Sequence, residues 1–116
     1  MLTWPHSVRV FVHTHPTDMR RSFDRLAFMV EEILKQDPLS GHLFVFFNRR
    51  GDRVKILFWD RSGYCIWYKR LEQGVFRLPA FDRDCLEIDI TRLSLILEGI
   101  DLSQTRRRKR YSLFRG

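Results

Sequence analysis

Apolar positions in the first third of the chain recur first at every second residue and then at every third or fourth. Three valines alternate with other residues over 8–13, which predicts a strand. Between residues 19 and 36 the apolar residues fall at helical spacing, which predicts an amphipathic helix. Thr17 or Asp18 can cap its first turn. The helix should end before Pro38, because the residue that precedes a proline avoids helical geometry.

Three strands joined by two short polar turns are predicted after this helix. Leu43–Phe47 is continuously apolar, which is typical of a strand covered on both faces, or by the helix on one side and a partner on the other. Val54–Trp59 and Tyr64–Leu71 read as the next two strands. The turns contain Gly51 and Gly63, and glycine suits the backbone geometry of tight hairpins.

The remaining apolar groups predict shorter elements. Strands are expected at residues 75–78 and 86–90, and a helix at 91–99 with Thr91 as its cap. Together the elements predict one α+β domain over residues 1–102. In it, an antiparallel meander of three to five strands packs one face on the long helix, and the short helix closes one end. Residues 103–116 are expected to form a flexible basic tail.

Composition narrows the class of protein. With 116 residues and 44% hydrophobic residues, the chain fits an ordinary globular domain. No apolar run reaches the roughly 18 residues of a membrane span, and the first residues do not resemble a secretory signal. Cys65 and Cys85 are too few for a disulfide framework. These features predict no membrane association and a location in a reducing cytoplasm.

The positive charge is concentrated near the C-terminus. The net charge is +7, yet acidic and basic residues nearly balance before residue 106. Most of the excess is carried by Arg106, Arg107, Arg108, Lys109 and Arg110. Such a basic segment usually binds a polyanion, with nucleic acid as the leading candidate, although it could also serve solubility or protein contact.

A second set of basic residues surrounds the aromatic strands of the predicted hairpin: Arg49, Arg50, Arg53, Lys55, Arg61, Lys69 and Arg70. A two-stranded ribbon fits the major groove of DNA, and guanidinium groups at its turn can contact phosphates or guanine edges. Aromatic residues on an exposed sheet face can instead stack on unpaired bases. The alternative is that most of these aromatics form the core while the charges keep the sheet edges soluble.

Histidines and carboxylates offer weaker chemical hypotheses. His13 and His15, with His6 or His42, could bind zinc, but no further Cys/His cluster supports this, and hydrogen-bonded or surface histidines are favoured. The acidic pairs are Asp82 with Asp84 and Glu87 with Asp89, and a metal-dependent nuclease would need them to converge. Cys65 lies between apolar strand residues, which favours an inert thiol. The sequence therefore predicts no enzyme, no metal and no cofactor.

Several segments contain specific runs of residues that the predicted fold does not require. They are Thr17–Arg20, Asp37–Phe47, Asn48–Arg50, Lys55–Asp60, Gly63–Leu71, Gly74–Phe76 and Leu97–Asp101. In this order, over roughly residues 8–111, the chain resembles the small TnpB, or Orf-two, accessory proteins of the bacterial insertion sequence sixty-six family. These differ from the large RNA-guided nuclease that shares the name TnpB.

The resemblance implies a role in DNA transposition beside a separate, larger transposase that holds the catalytic metal site. It carries over no catalytic residue. It marks a signature of unknown role that comprises Asp18, Met19, Arg20, Trp59, Asp60 and Trp67. The partners it implies are DNA, with the ends of the element as candidate sites, and the transposase. A homodimer is a further candidate.

We therefore expect a non-enzymatic accessory protein that binds DNA and assists the transposase. The expected nucleic-acid contacts are Arg49, Arg50, Arg53, Lys55, Lys69, Arg70, Arg106, Arg107, Arg108, Lys109 and Arg110. The alternative is a protein-interaction module that docks the transposase and has only non-specific DNA affinity through its tail.

Overall fold

Five strands form a single sheet flanked by two helices in the computed structural model, which describes residues 4–99. The strands are β1 (Val10–His13), β2 (Leu43–Phe47), β3 (Arg53–Asp60), β4 (Gly63–Arg70) and β5 (Cys85–Ile88). The helices are α1 (Phe23–Glu32), between β1 and β2, and α2 (Ile90–Glu98), after β5. The strand order is β4-β3-β2-β1-β5, so the predicted α+β class with up to five strands is confirmed.

The direction of β1 differs from the prediction. β1 and β2 run parallel, with Val10 opposite Leu43, whereas the other neighbouring strands are antiparallel. The prediction of an antiparallel sheet was therefore wrong for this pair, and the sheet is mixed. The reason is the connection between the two strands. After β1 the chain returns through α1 to the end of the sheet where β1 begins, so that β2 runs in the same direction, as parallel strands require.

Both faces of the sheet are covered by helices. On one face, α1 packs Leu26, Met29 and Val30 against a layer that contains Phe11, Phe44, Phe46 and Leu57. On the other face, α2 packs Leu93, Ile96 and Leu97 against a layer that contains Val10, Val12, Leu43, Val45 and Ile56. The prediction that α2 closes one end of the sheet was therefore wrong. This two-sided burial explains why β2 is continuously apolar.

Both helices differ from their predicted bounds. α1 begins only at Phe23, because the backbone N–H of Thr17 donates to the carbonyl of Phe47 at 2.7 Å and holds the preceding segment against the end of the sheet. α2 is capped by Asp89, whose side chain accepts from the N–H of Arg92 at 2.7 Å, and not by Thr91. The expected strand at 75–78 is reduced to a single bridge.

The predicted domain boundary at residue 102 and the basic segment 103–116 lie outside the described residues. Within residues 4–99, neither helix is long and apolar enough to cross a membrane.

Candidate nucleic-acid interface

A cleft of about 620 Å³ opens where the segment before α1 meets the turn between β2 and β3. One wall is the segment Pro16–Arg20, and the other is the turn Asn48–Arg53. Tyr68 of β4 completes the lining. The fold thus places two segments, separated by almost thirty residues of sequence, beside each other.

The turn Asn48–Arg53 is organised by the side chain of Asn48. Its Oδ1 accepts from the N–H groups of Gly51 and Arg53, both at 3.0 Å, and its Nδ2 donates to Asp52 at 2.7 Å. Gly51 adopts φ +78°, which glycine tolerates better than other residues. The bond from Asn48 also lowers the pKa of the Asp52 carboxyl. A turn fixed in this way presents Arg49 and Arg50 at its exposed tip.

Arg49 and Arg50 differ from the other arginines of the cleft in having free guanidinium groups. Within residues 4–99 neither side chain makes a hydrogen bond or an ion pair. Arg53 donates to the hydroxyl of Tyr68 at 3.2 Å, and Arg20 pairs with Asp18. The cleft is lined by four arginines and two aspartates, so its net charge is positive.

The opposite wall contains the first part of the sequence signature, Asp18-Met19-Arg20. The guanidinium of Arg20 donates to both carboxylate oxygens of Asp18, at 2.7–3.1 Å, and the Arg20 N–H donates to Oδ1 at 2.9 Å. These bonds lower the pKa of Asp18 to about 2. The two side chains therefore form a local ion pair that shapes the segment ahead of α1.

Lys55 connects this wall to the sheet. Its side chain is buried, with 8% exposed, and its Nζ donates to the carbonyl oxygens of Met19 and Arg21, both at 2.7 Å. The same Nζ lies 4.9 Å from the centroid of the Tyr68 ring. Because the ammonium already has these partners, Lys55 positions the wall of the cleft.

The other residues of β3 and β4 that were predicted to contact nucleic acid, or that belong to the sequence signature, lie at separate places along the hairpin. Lys69 donates to the carbonyl of Leu97 at 2.8 Å, on the α2 side of the sheet, and Arg70 pairs with Glu72 at 3.0 Å. Trp59 and Asp60 lie at the opposite end of the β3–β4 hairpin from Arg53. Trp67 packs into the α2-side core. The basic residues 106–110 lie outside the described residues.

The histidines and carboxylates do not form a metal site within residues 4–99, where no three His, Cys, Asp or Glu side chains come together. Asp84 contacts His15 at 2.6 Å, Glu87 pairs with Arg9 at 2.8 Å, and Asp89 caps α2. The acidic pairs that a nuclease would need are thus dispersed among separate structural contacts.

Sequence reasoning missed two contributors to the cleft, Asn48 as the organiser of the turn and Tyr68 as part of its lining. The alternation of β4 carries a signal for Tyr68, because this residue lies directly opposite Lys55 and therefore on the same face of the sheet. No sequence signal brings the Pro16–Arg20 segment to the turn, because that contact depends on the parallel pairing of β1 and β2.

A model of the family described as IS66 Orf2-like protein matches residues 8–107, which is most of the chain. The chain belongs to the IS66 Orf2-like family. It is 43% identical to the uncharacterized protein y4hO of Sinorhizobium fredii over 101 residues, covering 87% of this chain and 88% of the relative. It is 35% identical to the uncharacterized protein y4jC of the same organism, covering 87% and 86%. No solved structure matches it.

Membership of the IS66 Orf2-like family implies an accessory protein of transposition by an insertion sequence. The family match contains both walls of the cleft, and of the basic residues at 106–110 it contains the first two, Arg106 and Arg107.

Proposed function

We propose that the protein is a non-enzymatic accessory factor that binds DNA and assists the transposase of its insertion sequence. DNA contacts are assigned to Arg49 and Arg50 at the turn, and to the basic residues 106–110. The observation that carries the proposal is the pair of exposed arginines on a rigid turn, whose guanidinium groups make no bond to any residue in 4–99. Guanidinium groups of this kind are suited to phosphate contacts.

The place where the described chain ends supports a joint role for the turn and the basic residues. Gly99 lies against Leu71, and the N–H of Leu71 donates to the carbonyl of Asp52 within the turn segment. The chain therefore passes position 99 at the same end of the sheet as the turn. The seven residues from there to Arg106 can span at most about 25 Å. Both basic groups can therefore contact one DNA molecule.

Arg53, Lys55, Lys69 and Arg70 receive a supporting role in this proposal. Each already has a partner within the protein, in Tyr68, two backbone carbonyls, Leu97 and Glu72 respectively. They add positive potential near the cleft and fix its geometry, while the free arginines make the direct contacts.

The test is a salt titration of binding to a duplex that carries an end of the element, compared with a scrambled duplex. Release of counterions by five charges at 106–110 contributes a slope of about −4.5 in log K against log salt, and each turn arginine contributes about −1. A version that ends at Ser103 should lose the contribution of residues 106–110 to the slope. The double variant Arg49→Gln with Arg50→Gln should lose the smaller contribution of the turn.

Arg92→Gln is the matched control, because Arg92 is an exposed arginine on α2, on the opposite face of the sheet from α1. It should leave the slope unchanged. Binding that is unaffected by both the truncation and the turn substitutions would contradict the proposal.

A second candidate function, a protein-docking module for the transposase, is favoured by the edge strand β4. This strand has eight residues, its register with β3 is unbroken, and it contains no proline. Exposed edges are commonly guarded by lysine, yet Lys69 is bonded to the carbonyl of Leu97. A strand of the transposase could extend the sheet here. A second copy of the chain is the competing occupant, and light scattering of the isolated protein separates the two.

A further inference from the structure

We propose that the cleft binds one unpaired nucleotide, whose base stacks on Tyr68 while its phosphate is held by Arg49 and Arg50. This inference rests on the proposed function, DNA binding at the turn, and it adds the form of the nucleic acid. The protein would then prefer single-stranded or frayed DNA to intact duplex.

The shape of the site is the first argument. Pockets that enclose small ligands measure about 300–1,000 Å³, and the cleft, at about 620 Å³, lies within this range. It is bounded by two walls, the Pro16–Arg20 segment and the Asn48–Arg53 turn. A concave site of this size admits a single nucleotide, whereas the bases of a duplex are already paired and stacked and cannot enter it without being unstacked.

The second argument is the state of the Tyr68 ring. Its hydroxyl receives a hydrogen bond from Arg53 at 3.2 Å, and the Lys55 ammonium lies 4.9 Å from its centroid. Lys55 is itself fixed by the carbonyls of Met19 and Arg21. Yet 47% of the Tyr68 residue surface remains exposed. A held ring loses little further freedom on binding, and exposed aromatic rings are the usual platforms for unpaired bases.

The third argument is the distribution of charge around the ring. Asp18 is paired with Arg20, whereas Asp52 keeps its negative charge, because the hydrogen bond from Asn48 lowers its pKa. Arg49 and Arg50 make no ion pair within residues 4–99, although the Asp52 carboxylate interacts with Arg50, and the four arginines of the cleft outnumber its two aspartates. Free cations beside an aromatic surface match the two chemical parts of a nucleotide, a phosphate and a base. An acidic peptide would use the cations but would leave the ring without a specific role.

The experiment compares binding of the full chain to a labelled oligodeoxythymidine strand and to a duplex of the same length at one salt concentration. Tyr68→Leu retains apolar bulk on the strand but removes the ring, and it should weaken single-strand binding roughly tenfold or more. Its effect on duplex binding should be less than about twofold. Tyr68→Phe retains the ring and should preserve the single-strand preference. Phe81→Ala is the matched control, because Phe81 has the same exposed fraction, 47%, outside the cleft.

A direct readout is photocross-linking with a strand that contains 5-iodouracil, followed by mass spectrometry. The inference expects the adduct on Tyr68. The inference is overturned if Tyr68→Leu weakens single-strand and duplex binding equally. It is also overturned if a phosphoserine peptide binds at the cleft and no oligonucleotide does. If strands and duplex bind equally well and Tyr68→Leu changes neither, the inference fails while the proposed function stands. If neither form of DNA binds at low salt, both fail.

Discussion

Lys55 is a charged residue whose place in the molecule is structural. Its buried ammonium joins β3 to the carbonyls of Met19 and Arg21, so it ties the segment ahead of α1 to the sheet. Burial of a charge is unfavourable unless its hydrogen bonds are satisfied, and here the two carbonyls provide that compensation. The same contacts hold one wall of the cleft in place.

Replacement of Lys55 by methionine should destabilise the protein by about 2–3 kcal/mol, because the two partly buried carbonyl groups of Met19 and Arg21 lose a charged donor. The measurement is urea unfolding followed by tryptophan fluorescence. Lys35→Gln, at an exposed position, should change the free energy of unfolding by less than about 0.5 kcal/mol. Equal effects of the two substitutions would show that the Lys55 bonds do not stabilise the fold.

His13 makes stability dependent on pH. It is buried, and its Nδ1 has no hydrogen-bond partner within residues 4–99. Burial lowers its pKa below the ordinary value of 6.5. In the unfolded chain the imidazole therefore binds a proton at a higher pH than in the folded protein. The contribution of neutral His13 to the free energy of unfolding should be fully present above about pH 7. It should be lost as the pH falls through 6.5 towards the lower pKa of the folded protein.

The check is the thermal midpoint measured between pH 5 and 7.5. His13→Phe, which suits a site beside the ring of Phe46, should flatten the dependence in this window. The exposed His6 serves as control, and His6→Gln should leave the slope intact. The carboxyl groups of Asp18 and Glu87, whose pKa values are lowered by arginine partners, contribute at more acidic pH and do not obscure the result. A slope that persists in His13→Phe would contradict this assignment.

At the level of the elements, α2 depends on its first residues. Asp89 accepts from the Arg92 N–H, whereas Thr91, the cap that the sequence favoured, lies one residue inside the helix and is exposed. Asp89→Ala should cost about 1 kcal/mol of stability, since it leaves an N–H at the helix start without its partner. Thr91→Ala should be close to neutral. Urea unfolding of both variants decides between the two caps, and a larger loss from Thr91→Ala would reverse the assignment.

The sequence predicted elements better than it predicted their arrangement. Alternation identifies a strand but carries no information on its direction, so the parallel pairing of β1 with β2 was missed. The apolar run of β2 did indicate cover on both faces, although not that α2 supplies the second layer. Met19 extended the predicted α1 because its spacing fits a helix, while in the structure its carbonyl is bonded to Lys55.

At the level of the whole molecule, the two hydrophobic clusters that the structure describes lie ahead of the basic segment. Both hydrophobic clusters are made of residues between Trp4 and Leu97. A version that ends at Ser103 should therefore unfold cooperatively, with a thermal midpoint within a few degrees of the full chain. A version that ends at Asp84 lacks β5 and α2, exposes the apolar face around Val45, and should show no cooperative transition by circular dichroism. Cooperative unfolding of that shorter version would disprove this account of the core.

The cleft was predictable from the sequence in its parts but not as a site. The arginines of the turn and the Asp18-Met19-Arg20 signature were both singled out, and each stayed a separate feature. Their meeting depends on the parallel pairing of β1 with β2 and is held by the bonds of Lys55, which join residues 34 and 36 positions apart. Local patterns report which face of an element is buried, whereas contacts over such separations follow from the topology of the sheet.

The pairing of β5 with β1 also has a consequence for biosynthesis. Val10 lies opposite Ile88, so one edge of β1 stays unpaired until β5 has been synthesised, after β2, β3 and β4. Until then an apolar strand remains open to pairing with other chains, and the sheet cannot be completed before β5 is made. A premature stop codon anywhere before α2 would thus yield a product destined for proteolysis. Genetically it would behave as a complete loss of function, even where the codons for Arg49 and Arg50 are intact.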